Sequence, residues 1–370
     1  MRILLIYYEP RPSGQTRHVL SLVQGLNRRH SLTVVLPQTL ESCIAAFEQA
    51  GARAIALPLG KVAWSPMTLA QLGRLIRGEA IEIVHVHSQE AGIPGRIVAR
   101  LSGAGCVVYT PQTIDIRRRN WFWLYVWLER ALAHLTDAIV SVNESDRARL
   151  AQWGIPPRKV VTIPNGVDLG EFEKPVQRQD LCCRWGLDAD RPLVLQIGRL
   201  NAQKDPMVLV KGAARLLQSR PEVQFALVGE GPLRGELAAC IESMGLGKQV
   251  RLLGEVAGAS RLMPAADLVT LTSRWEGAPY ALLEAMGWSR PVVATAVNGC
   301  PEIVEDGVTG ILVPPGDPAA WARAVAVLLD NPDRATTMGR RGRERLEERF
   351  LLQQMIDRVE GLYLSCTRRL

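Results

Sequence analysis

The sequence predicts an α/β protein made of two doubly wound parallel sheets. Short apolar strands alternate with helical segments along the chain, which is the pattern of parallel strands joined by helical crossovers. A polar stretch without clean periodicity, at about residues 172–191, interrupts this alternation. A chain of 370 residues is also longer than one core ordinarily accommodates. We therefore predict two domains, 1–175 and 176–349, with a C-terminal helix at 350–370 completing the first.

The strands and helices follow from the apolar pattern. The first half has predicted strands at 2–8, 32–36, 81–86, 106–109 and 138–142, and helices at 16–29 and 120–135. The second half has predicted strands at 192–198, 223–229, 249–254, 267–272, 291–295 and 310–315, and helices at 207–218 and 233–244. Open sheets of this kind bind ligands beyond the carboxyl ends of their strands. We therefore expect the domains to face each other across a cleft that holds the functional residues.

Composition excludes several classes of protein. A hydrophobic content of 47% with 22% charged residues is typical of a soluble globular protein. The seven cysteines show no paired spacing, which argues against zinc and disulfide frameworks and fits a reducing, cytoplasmic location. The opening residues "MRILLIYYEP" resemble a first strand rather than a secretory signal, and no apolar run reaches membrane-span length.

The net charge of +7 is unevenly distributed. Residues 1–175 hold 20 Lys and Arg against 14 Asp and Glu, whereas residues 176–370 hold 24 against 23. This asymmetry indicates that the first half meets an anionic partner. No basic and aromatic motif of a nucleic-acid-binding module is present, so we expect no nucleic acid.

Three turns of the second half carry polar groups at one predicted sheet edge. Arg199 and Lys204 follow the strand at 192–198, and Gly229 and Gly231 follow the next strand in "LVGEGP". Glycine lets a backbone approach a ligand closely. In "SRWEGAPYALLEAMGWSRP", Pro279 suits the first position of a helix. Two cations and a helix N-terminus would form an anion site suited to phosphate.

Two glutamates, Glu276 and Glu284, flank that helix start. The structural alternative is that acidic groups favour the positive end of a helix dipole. The functional alternative is that carboxylates accept hydrogen bonds from hydroxyl groups. Sugar hydroxyls next to a diphosphate describe a nucleotide-sugar.

These motifs resemble those of the retaining glycosyltransferases of family four, the glycosyl transferases group 1. The matching text is "GRLNAQKDP", "LVGEGP", "EGAPYALLEAM", "PVVATAVNGCPEIVEDGVTGILVPPGD" and, earlier, "TIPNGVD". The amino half matches more loosely, in "MRILLIYYEPRPSGQTRHVLSL", "IVHVHSQEAGIPGRIVARL" and "LTDAIVSVNESD". The resemblance implies the GT-B fold, with two Rossmann-like domains, the first on the acceptor side and the second binding the donor.

The resemblance also implies roles for single residues. Arg199 and Lys204 would hold the donor diphosphate, Glu276 would contact the transferred sugar, and these three would be catalytic. The remaining donor-binding positions would be Gly14, Gln112, Gly229, Gly231, Gly277, Ala278, Pro279, Tyr280 and Glu284, with Glu284 binding the ribose. No metal or other cofactor is expected, because the cations neutralise the diphosphate and no Asp-x-Asp motif is placed to hold an ion.

One position departs from the family pattern. Many relatives carry a histidine after the fourth strand of the amino domain, where this chain has Gln112 in "VVYTPQTIDIRRR". Glutamine can form hydrogen bonds but cannot act as a general base. Either the departing phosphate takes the acceptor proton, or the acceptor is handled differently. His85 and His87 alternate on a strand, and we expect at least one of them to be packed inside, with His18 and His134 judged likewise.

The segment "RRRNWFWLYVWLERALAHL" combines arginines with large aromatic residues. As a helix, its core face would comprise Leu124, Leu128, Ala131 and Leu135. A core helix or a protein interface is one interpretation. The other is peripheral contact with an anionic membrane surface, through Arg117, Arg118, Arg119, Trp121, Trp123 and Trp127. The basic first half favours this second interpretation, with a lipid-linked, polysaccharide or small-molecule acceptor on the cytoplasmic side.

Three other functions remain open at this point. An epimerase acting on nucleotide-sugars could use the same architecture, although the glutamate pair with Arg199 and Lys204 argues against it. Gln112 leaves open a nucleotide-sugar-binding protein without catalysis. A glycosidase also uses paired carboxylates but would not need a phosphate site.

Overall fold

The computed structural model describes residues 1–9, 11–60, 64–114 and 122–368. The chain forms two compact units, Met1–Asn165 with Leu352–Leu370, and Gly166–Leu351. Each unit is built on one fully parallel sheet, of seven strands in the first unit and six in the second. The predicted fold class of two doubly wound α/β domains is confirmed.

The first unit has the strand order β3-β2-β1-β4-β5-β6-β7. Its strands are β1 (Arg2–Tyr7), β2 (Ser31–Pro37), β3 (Arg53–Leu57), β4 (Ile83–His87), β5 (Cys106–Thr110), β6 (Ala138–Ser141) and β7 (Val160–Thr162). Its helices are α1 (Gly14–Leu26), α2 (Ile44–Gln49), α3 (Pro66–Gly78), α4 (Gln89–Leu101), α5 (Phe122–Leu132) and α6 (Glu144–Gln152). The five predicted strands are present. The prediction missed β3 and β7, because β3 is a short strand that begins with the charged Arg53 and is only partly buried, and β7 is only three residues long.

The second unit has the strand order β10-β9-β8-β11-β12-β13. Its strands are β8 (Leu193–Ile197), β9 (Gln224–Val228), β10 (Val250–Gly254), β11 (Leu268–Leu271), β12 (Val292–Thr295) and β13 (Gly310–Val313). Its helices are α7 (Arg178–Trp185), α8 (Pro206–Leu216), α9 (Arg234–Ser243), α10 (Tyr280–Gly287), α11 (Cys300–Ile303), α12 (Pro318–Leu329) and α13 (Pro332–Arg349). The chain runs outward from β8 to β10 and then resumes on the other side of β8 with β11. The order therefore reverses between β8 and β11, and a crevice forms at such a point.

The chain passes from the first unit to the second between Asn165 and Gly166, earlier than the predicted boundary at 175/176. The segment after Gly166 packs on the second unit: Val167 N–H donates to the carbonyl of Phe350 at 3.0 Å. The Phe172 ring lies so close to Gly287 that a Cβ there would be 2.3 Å from it. The polar composition of this stretch concealed the packing of Phe172. Part of the predicted linker is also the helix α7, which ends at Gly186 in the left-handed conformation.

The helix α14 (Leu352–Thr367) completes the first unit. The Tyr363 hydroxyl lies 2.6 Å from Nδ1 of His85, and the Glu360 carboxylate lies 2.6 Å from Nε2 of His30. Tyr363 is fully buried, and its neighbours Ile356 and Val359 belong to the same core as β1 and α1. These contacts tie α14 to strands and helices far earlier in the sequence.

The helix α5 is rotated relative to the predicted core face. Val126, Glu129 and Leu132 are buried, whereas Leu124 is 51% exposed. The cause is a buried ion pair between Glu129 and Arg96 of α4, with Nη2 and Oε1 2.8 Å apart. An apolar pattern cannot anticipate a buried glutamate, so the prediction of Leu124, Leu128, Ala131 and Leu135 as the core face was wrong.

Large apolar side chains are exposed on α4 and α5. We call this set the aromatic surface; it comprises Ile97 and Leu101 of α4 with Trp123, Leu124 and Trp127 of α5. Trp123 is 78% exposed and Trp127 is 63% exposed. The predicted membrane residues Arg117, Arg118, Arg119 and Trp121 lie outside the described residues. Within the described part of the chain, no helix is both long enough and apolar enough to cross a membrane.

Three histidines form a cluster in the core of the first unit. His18, His85 and His87 are each at most 2% exposed, and the rings of His85 and His87 have centroids 4.0 Å apart. His18 is hydrogen-bonded to Asn165 at 2.9 Å, and His85 to Tyr363 and Thr110. Neither ring nitrogen of His87 has a hydrogen-bond partner among the described residues. His85, His87 and His18 therefore lie inside the unit, as predicted, whereas His134 is exposed.

We expect this cluster to destabilise the first unit in acid. Burial lowers the pKa of His18 to about 4 and the pKa values of His85 and His87 well below 6.5. Below pH 6.5 the unfolded chain therefore binds protons that the folded unit excludes, so stability present above 6.5 is lost as the pH falls. Each histidine contributes up to about 1.4 kcal/mol per pH unit. Thermal unfolding between pH 7.5 and pH 5 measures the loss.

A matched pair of variants isolates the cluster from the carboxylates that also titrate in acid. His87→Leu should reduce the dependence of the melting temperature on pH, because one buried proton-binding site is removed. His134→Gln removes an exposed imidazole and should leave that dependence unchanged. Identical pH profiles for His87→Leu and the parent protein would contradict the assignment.

Candidate active site

The crevice of the second unit collects four of the predicted residues. Arg199 and Lys204 lie in the loop after β8, and Glu276 lies in the loop after β11. Glu284 lies on the fifth position of α10, which follows that second loop. The two loops leave adjacent strands at the point where the strand order reverses. Arg199 is exposed, whereas Glu276 is only 4% exposed.

Lys204 and Glu276 form a direct ion pair. The Lys204 ammonium nitrogen lies 2.5 Å from Oε1 of Glu276, and the Ser273 hydroxyl donates to the same oxygen at 2.5 Å. Both contacts are made by Oε1 rather than by Oε2. A cation and a carboxylate therefore occupy one small site, and Oε1 is the carboxylate oxygen that holds the lysine and the serine.

Hydrogen bonds between the two loops hold this pair in place. The Thr272 hydroxyl lies 2.9 Å from the carbonyl of Lys204 and 3.1 Å from that of Asp205. Arg274 donates through Nε to the Asp205 carboxylate at 2.6 Å, and its backbone N–H donates to the carbonyl of Gln203 at 2.8 Å. Asp205 has a φ of +42°, a strained conformation that these contacts maintain.

Gly229 and Gly231 are required by packing between loops. A Cβ on Gly229 would lie 2.1 Å from the carbonyl oxygen of Gly198, and one on Gly231 would lie 2.3 Å from that of Leu200. Gly229 also has a φ of +136°, which a larger residue rarely adopts. These glycines bring the loop after β9 against the loop that carries Arg199. Their predicted contact with a donor stays a prediction.

The beginning of α10 differs slightly from the prediction. Pro279 is the N-cap residue, with ψ of 118°, and Tyr280 is the first helical residue. Gly277, Ala278, Pro279 and Tyr280 are buried, and Glu284 is half-buried. No acidic residue occupies the first turn of α10. The helix-dipole alternative for the two glutamates therefore lacks the geometry it needs, because Glu276 precedes the helix and Glu284 lies beyond its first turn.

The first unit holds the other two predicted donor-binding residues. Gly14 is the first residue of α1, whose N-terminus is closed by a capping box between Ser13 and Thr16. Gln112 follows β5 and has a φ of +67°, and its enclosed Nε2 has no hydrogen-bond partner among the described residues. Backbone strain of this kind persists mainly where a side chain must be aimed.

Sequence reasoning missed Ser273, which orients Glu276. A signal for it exists, because Ser273 and Glu276 in "SRWE" have the spacing of a capping box. That pattern ordinarily marks a helix N-terminus, whereas here the two side chains bond to each other ahead of the helix. The pairing of Arg274 with Asp205 was missed as well, since nothing in the sequence links residues so far apart.

Comparison with known proteins gives a consistent result. The family model described as "Glycosyl transferases group 1" matches residues 179–345, and the one described as "Glycosyltransferase Family 4" matches residues 12–171. A relative from Escherichia coli, UDP-Gal:alpha-D-GlcNAc-diphosphoundecaprenol alpha-1,3-galactosyltransferase, is 30% identical over 306 residues, which are 80% of this chain and 79% of that protein. The putative glycosyltransferase EpsD of Bacillus subtilis is 28% identical over 316 residues, covering 81% and 83% of the two chains.

Solved structures show the same architecture. The crystal structure of Anabaena HepE in complex with UDP-glucose matches with a TM-score of 0.86 at 22% identity, over 99% of this chain and 100% of that one. This similarity concerns the fold, and the curated relatives carry the identification. The chain therefore belongs to the glycosyl transferases group 1: it is a glycosyltransferase with the GT-B fold.

Proposed function

We propose that this glycosyltransferase takes its sugar from a nucleoside-diphosphate sugar, retains the anomeric configuration and needs no metal ion. The observation that carries the proposal is the ion pair of Lys204 and Glu276 in the crevice. It sets a cation suited to a diphosphate beside a carboxylate suited to sugar hydroxyls. The Escherichia coli relative is named for UDP-Gal, and the HepE structure contains UDP-glucose, which supports a uridine nucleotide.

The proposed chemistry follows from where charge develops. Breaking the bond from the anomeric carbon to oxygen leaves positive character on the sugar and negative charge on the diphosphate. Lys204 and Arg199 are proposed to stabilise the diphosphate, since positioned cations lower the barrier most where charge appears. Oε2 of Glu276 is proposed to accept a hydrogen bond from the sugar. The ammonium and guanidinium groups supply the positive charge for which other enzymes use a divalent cation.

Retention is proposed without a covalent intermediate on the protein. Glu276 is the buried carboxylate at the site, but its Oε1 is already engaged by Lys204 and Ser273. We therefore propose departure and attack on the same face of the sugar, with the leaving phosphate taking the acceptor proton. Gln112 agrees with this scheme, because an amide can orient a hydroxyl group without removing its proton.

The remaining donor contacts are proposals of the same kind. Glu284 is proposed to bind the ribose, and the backbone at Gly277, Ala278, Pro279 and Tyr280 to face phosphate or sugar, where amide N–H groups near a helix N-terminus favour anions. For Gly14, Gly229 and Gly231 the donor role rests on the family resemblance alone.

The acceptor is proposed to be lipid-linked and reached at a membrane surface. The aromatic surface exposes two tryptophans on α5, which also carries the exposed Arg130, a combination typical of interfacial binding. The name of the Escherichia coli relative contains diphosphoundecaprenol, a lipid carrier. We propose a cytoplasmic protein that binds the inner face of an anionic membrane through the aromatic surface and the arginines at 117–119.

The donor and metal proposals can be tested together. We expect UDP-sugars to raise the melting temperature, and the best of them to yield a product with the donor's anomeric configuration, as read by proton NMR. Turnover should persist in a chelator, because Lys204 and Arg199 supply the positive charge. Activity that is lost in the chelator and restored by magnesium or manganese would overturn metal independence, and an inverted product would overturn retention.

The ion pair generates a second prediction. Lys204→Ala should weaken nucleoside diphosphate binding by roughly 1.5–3 kcal/mol, the value of a charge-assisted hydrogen bond. Glu276→Gln should lower turnover on the order of 10²-fold while nucleoside diphosphate binds as well or better, because Lys204 then loses its competing carboxylate. Titration calorimetry and initial rates provide the measurements.

Two further variants serve as comparisons for that experiment. Glu284→Ala should weaken the nucleoside diphosphate itself, since the ribose is present in both donor and product. Lys211→Ala removes an exposed lysine of α8 outside the site and should change neither affinity nor rate. Unchanged nucleotide affinity in Lys204→Ala would refute the diphosphate assignment.

Liposome sedimentation tests the membrane proposal. Vesicles containing anionic lipid should pellet the protein at low salt and release it at high salt. Replacing Trp123 and Trp127 by Ser, or the arginines at 117–119 by Gln, should weaken pelleting without lowering the melting temperature. Met67→Ser is the matched control, because Met67 is 70% exposed on a different helix of the same unit. Failure of the parent protein to bind any vesicle would end this proposal.

A further inference from the structure

A cavity of about 540 Å³ opens at the strand-start edge of the second sheet. Pro192, Leu268 and Pro291, which lie at the beginnings of β8, β11 and β12, form one wall. The C-terminal end of α12 and the N-terminal half of α13 form the opposite wall. This cavity, the strand-start cavity, therefore lies at the edge of the sheet opposite to the loops that carry Lys204 and Glu276. Its volume is in the range of small-molecule sites.

Arg290 is built into the wall of this cavity with one donor unused. Its Nη1 donates to the carbonyl of Ala266 at 3.1 Å, but its enclosed Nε has no acceptor among the described residues. Burial lowers the pKa of Arg290, an effect that Asp267 opposes. Asp267 is itself engaged, because its Oδ2 accepts from Leu193 N–H at 2.7 Å and from Arg178 at 3.1 Å. An enclosed donor without an acceptor indicates that an oxygen-bearing group belongs beside it.

Three further donors line the cavity, together with one acidic group, the Asp267 carboxylate. The guanidinium of Arg340 and the hydroxyl groups of Ser289 and Thr336 line it. Ser289 has a φ of +54° and is fixed by α13, since a Cβ on Gly339 would lie 2.1 Å from its carbonyl oxygen. Arg340 also donates through Nη1 to the Glu344 carboxylate at 3.0 Å, and both of these side chains are exposed. With Asp267 held by Arg178, the surplus charge of the lining is positive.

Apolar side chains complete the lining. Leu329, at the end of α12, and Pro332 and Ala335 of α13 present apolar surface to it, whereas Leu268 and Leu328 behind them are each 1% exposed. An inorganic ion would leave the surface of Leu329 and Pro332 in contact with water. A ligand that satisfies both parts has an anionic end and an apolar body.

We propose that the strand-start cavity is a second binding site, for a small organic phosphate. Its phosphate oxygens accept from Arg290 and Arg340, and its apolar part packs on Leu329 and Pro332. A dianion suits two guanidinium groups better than a carboxylate does, since each group offers a planar fork of donors. The site is separate from the donor crevice and does not depend on the proposed reaction.

Phenyl phosphate is the probe, and titration calorimetry on the full chain is the measurement. The parent protein should bind it at this cavity, inorganic phosphate and benzoate should bind more weakly, and benzyl alcohol should not bind. Arg340→Gln should weaken binding about tenfold, through loss of one charge-assisted hydrogen bond. Thr336→Glu should abolish it, because a carboxylate would enter the cavity without disturbing the contacts of Arg290.

Two controls locate the site. Arg334→Gln removes an exposed arginine of the same helix outside the cavity, and Lys204→Ala removes the cation of the donor crevice. Both should leave binding at the cavity unchanged, and melting temperatures show that all variants are folded. The proposal is overturned if phenyl phosphate does not bind at millimolar concentration. It is also overturned if Lys204→Ala loses binding while Arg340→Gln keeps it, or if benzoate binds more tightly than phenyl phosphate.

Discussion

A single carboxylate oxygen, Oε1 of Glu276, organises the crevice of the second unit. It receives Lys204 from the loop after β8 and Ser273 from its own loop, so two segments more than seventy residues apart are joined at one atom. Burying an ion pair costs desolvation energy, which good geometry and further hydrogen bonds must offset. The loops that carry the ion pair are held in place by further contacts. These are the hydrogen bonds of the Thr272 hydroxyl, the ion pair of Arg274 with Asp205 and the close packing at Gly229. The positive φ of Asp205 and of Gly229 both occur where loops of this edge contact one another.

This arrangement gives the site an internal competition. Within the chain, the Lys204 ammonium group is held by the Glu276 carboxylate. A bound diphosphate would attract the same ammonium group towards its own negative charge. The group proposed to contact the sugar and the group proposed to contact the diphosphate are thus already paired with each other within the chain. A donor carrying both a sugar and a diphosphate would satisfy the two partners at once, and a nucleotide alone would satisfy only one.

The sequence predicted features that depend on residues close together in the chain, and it missed features that depend on contacts between distant residues. Short, mostly apolar runs identified the central strands, and motifs in single loops located Lys204, Glu276 and Glu284, because these signals are local. β7 is too short for a local pattern, and Phe172 lies in a polar stretch whose packing partner is distant in sequence. Glu129 misled the assignment of the α5 core face, since its partner Arg96 lies on another helix. The positive φ angles of Gln112 and Asp205 could be found only from coordinates, because most glutamines and aspartates have negative φ.

The return of α14 to the first sheet has a consequence for synthesis on the ribosome. Residues 166–351 form one continuous unit, so it can fold as soon as it has emerged. The first unit, although translated earlier, lacks Tyr363 against His85 and Glu360 against His30 until the last helix has been made. The nascent chain therefore carries a first unit without its last helix, with the apolar face that α14 covers open to solvent, through the translation of nearly the whole second unit. Chaperones that bind exposed apolar surface would meet this chain at its beginning rather than at its middle.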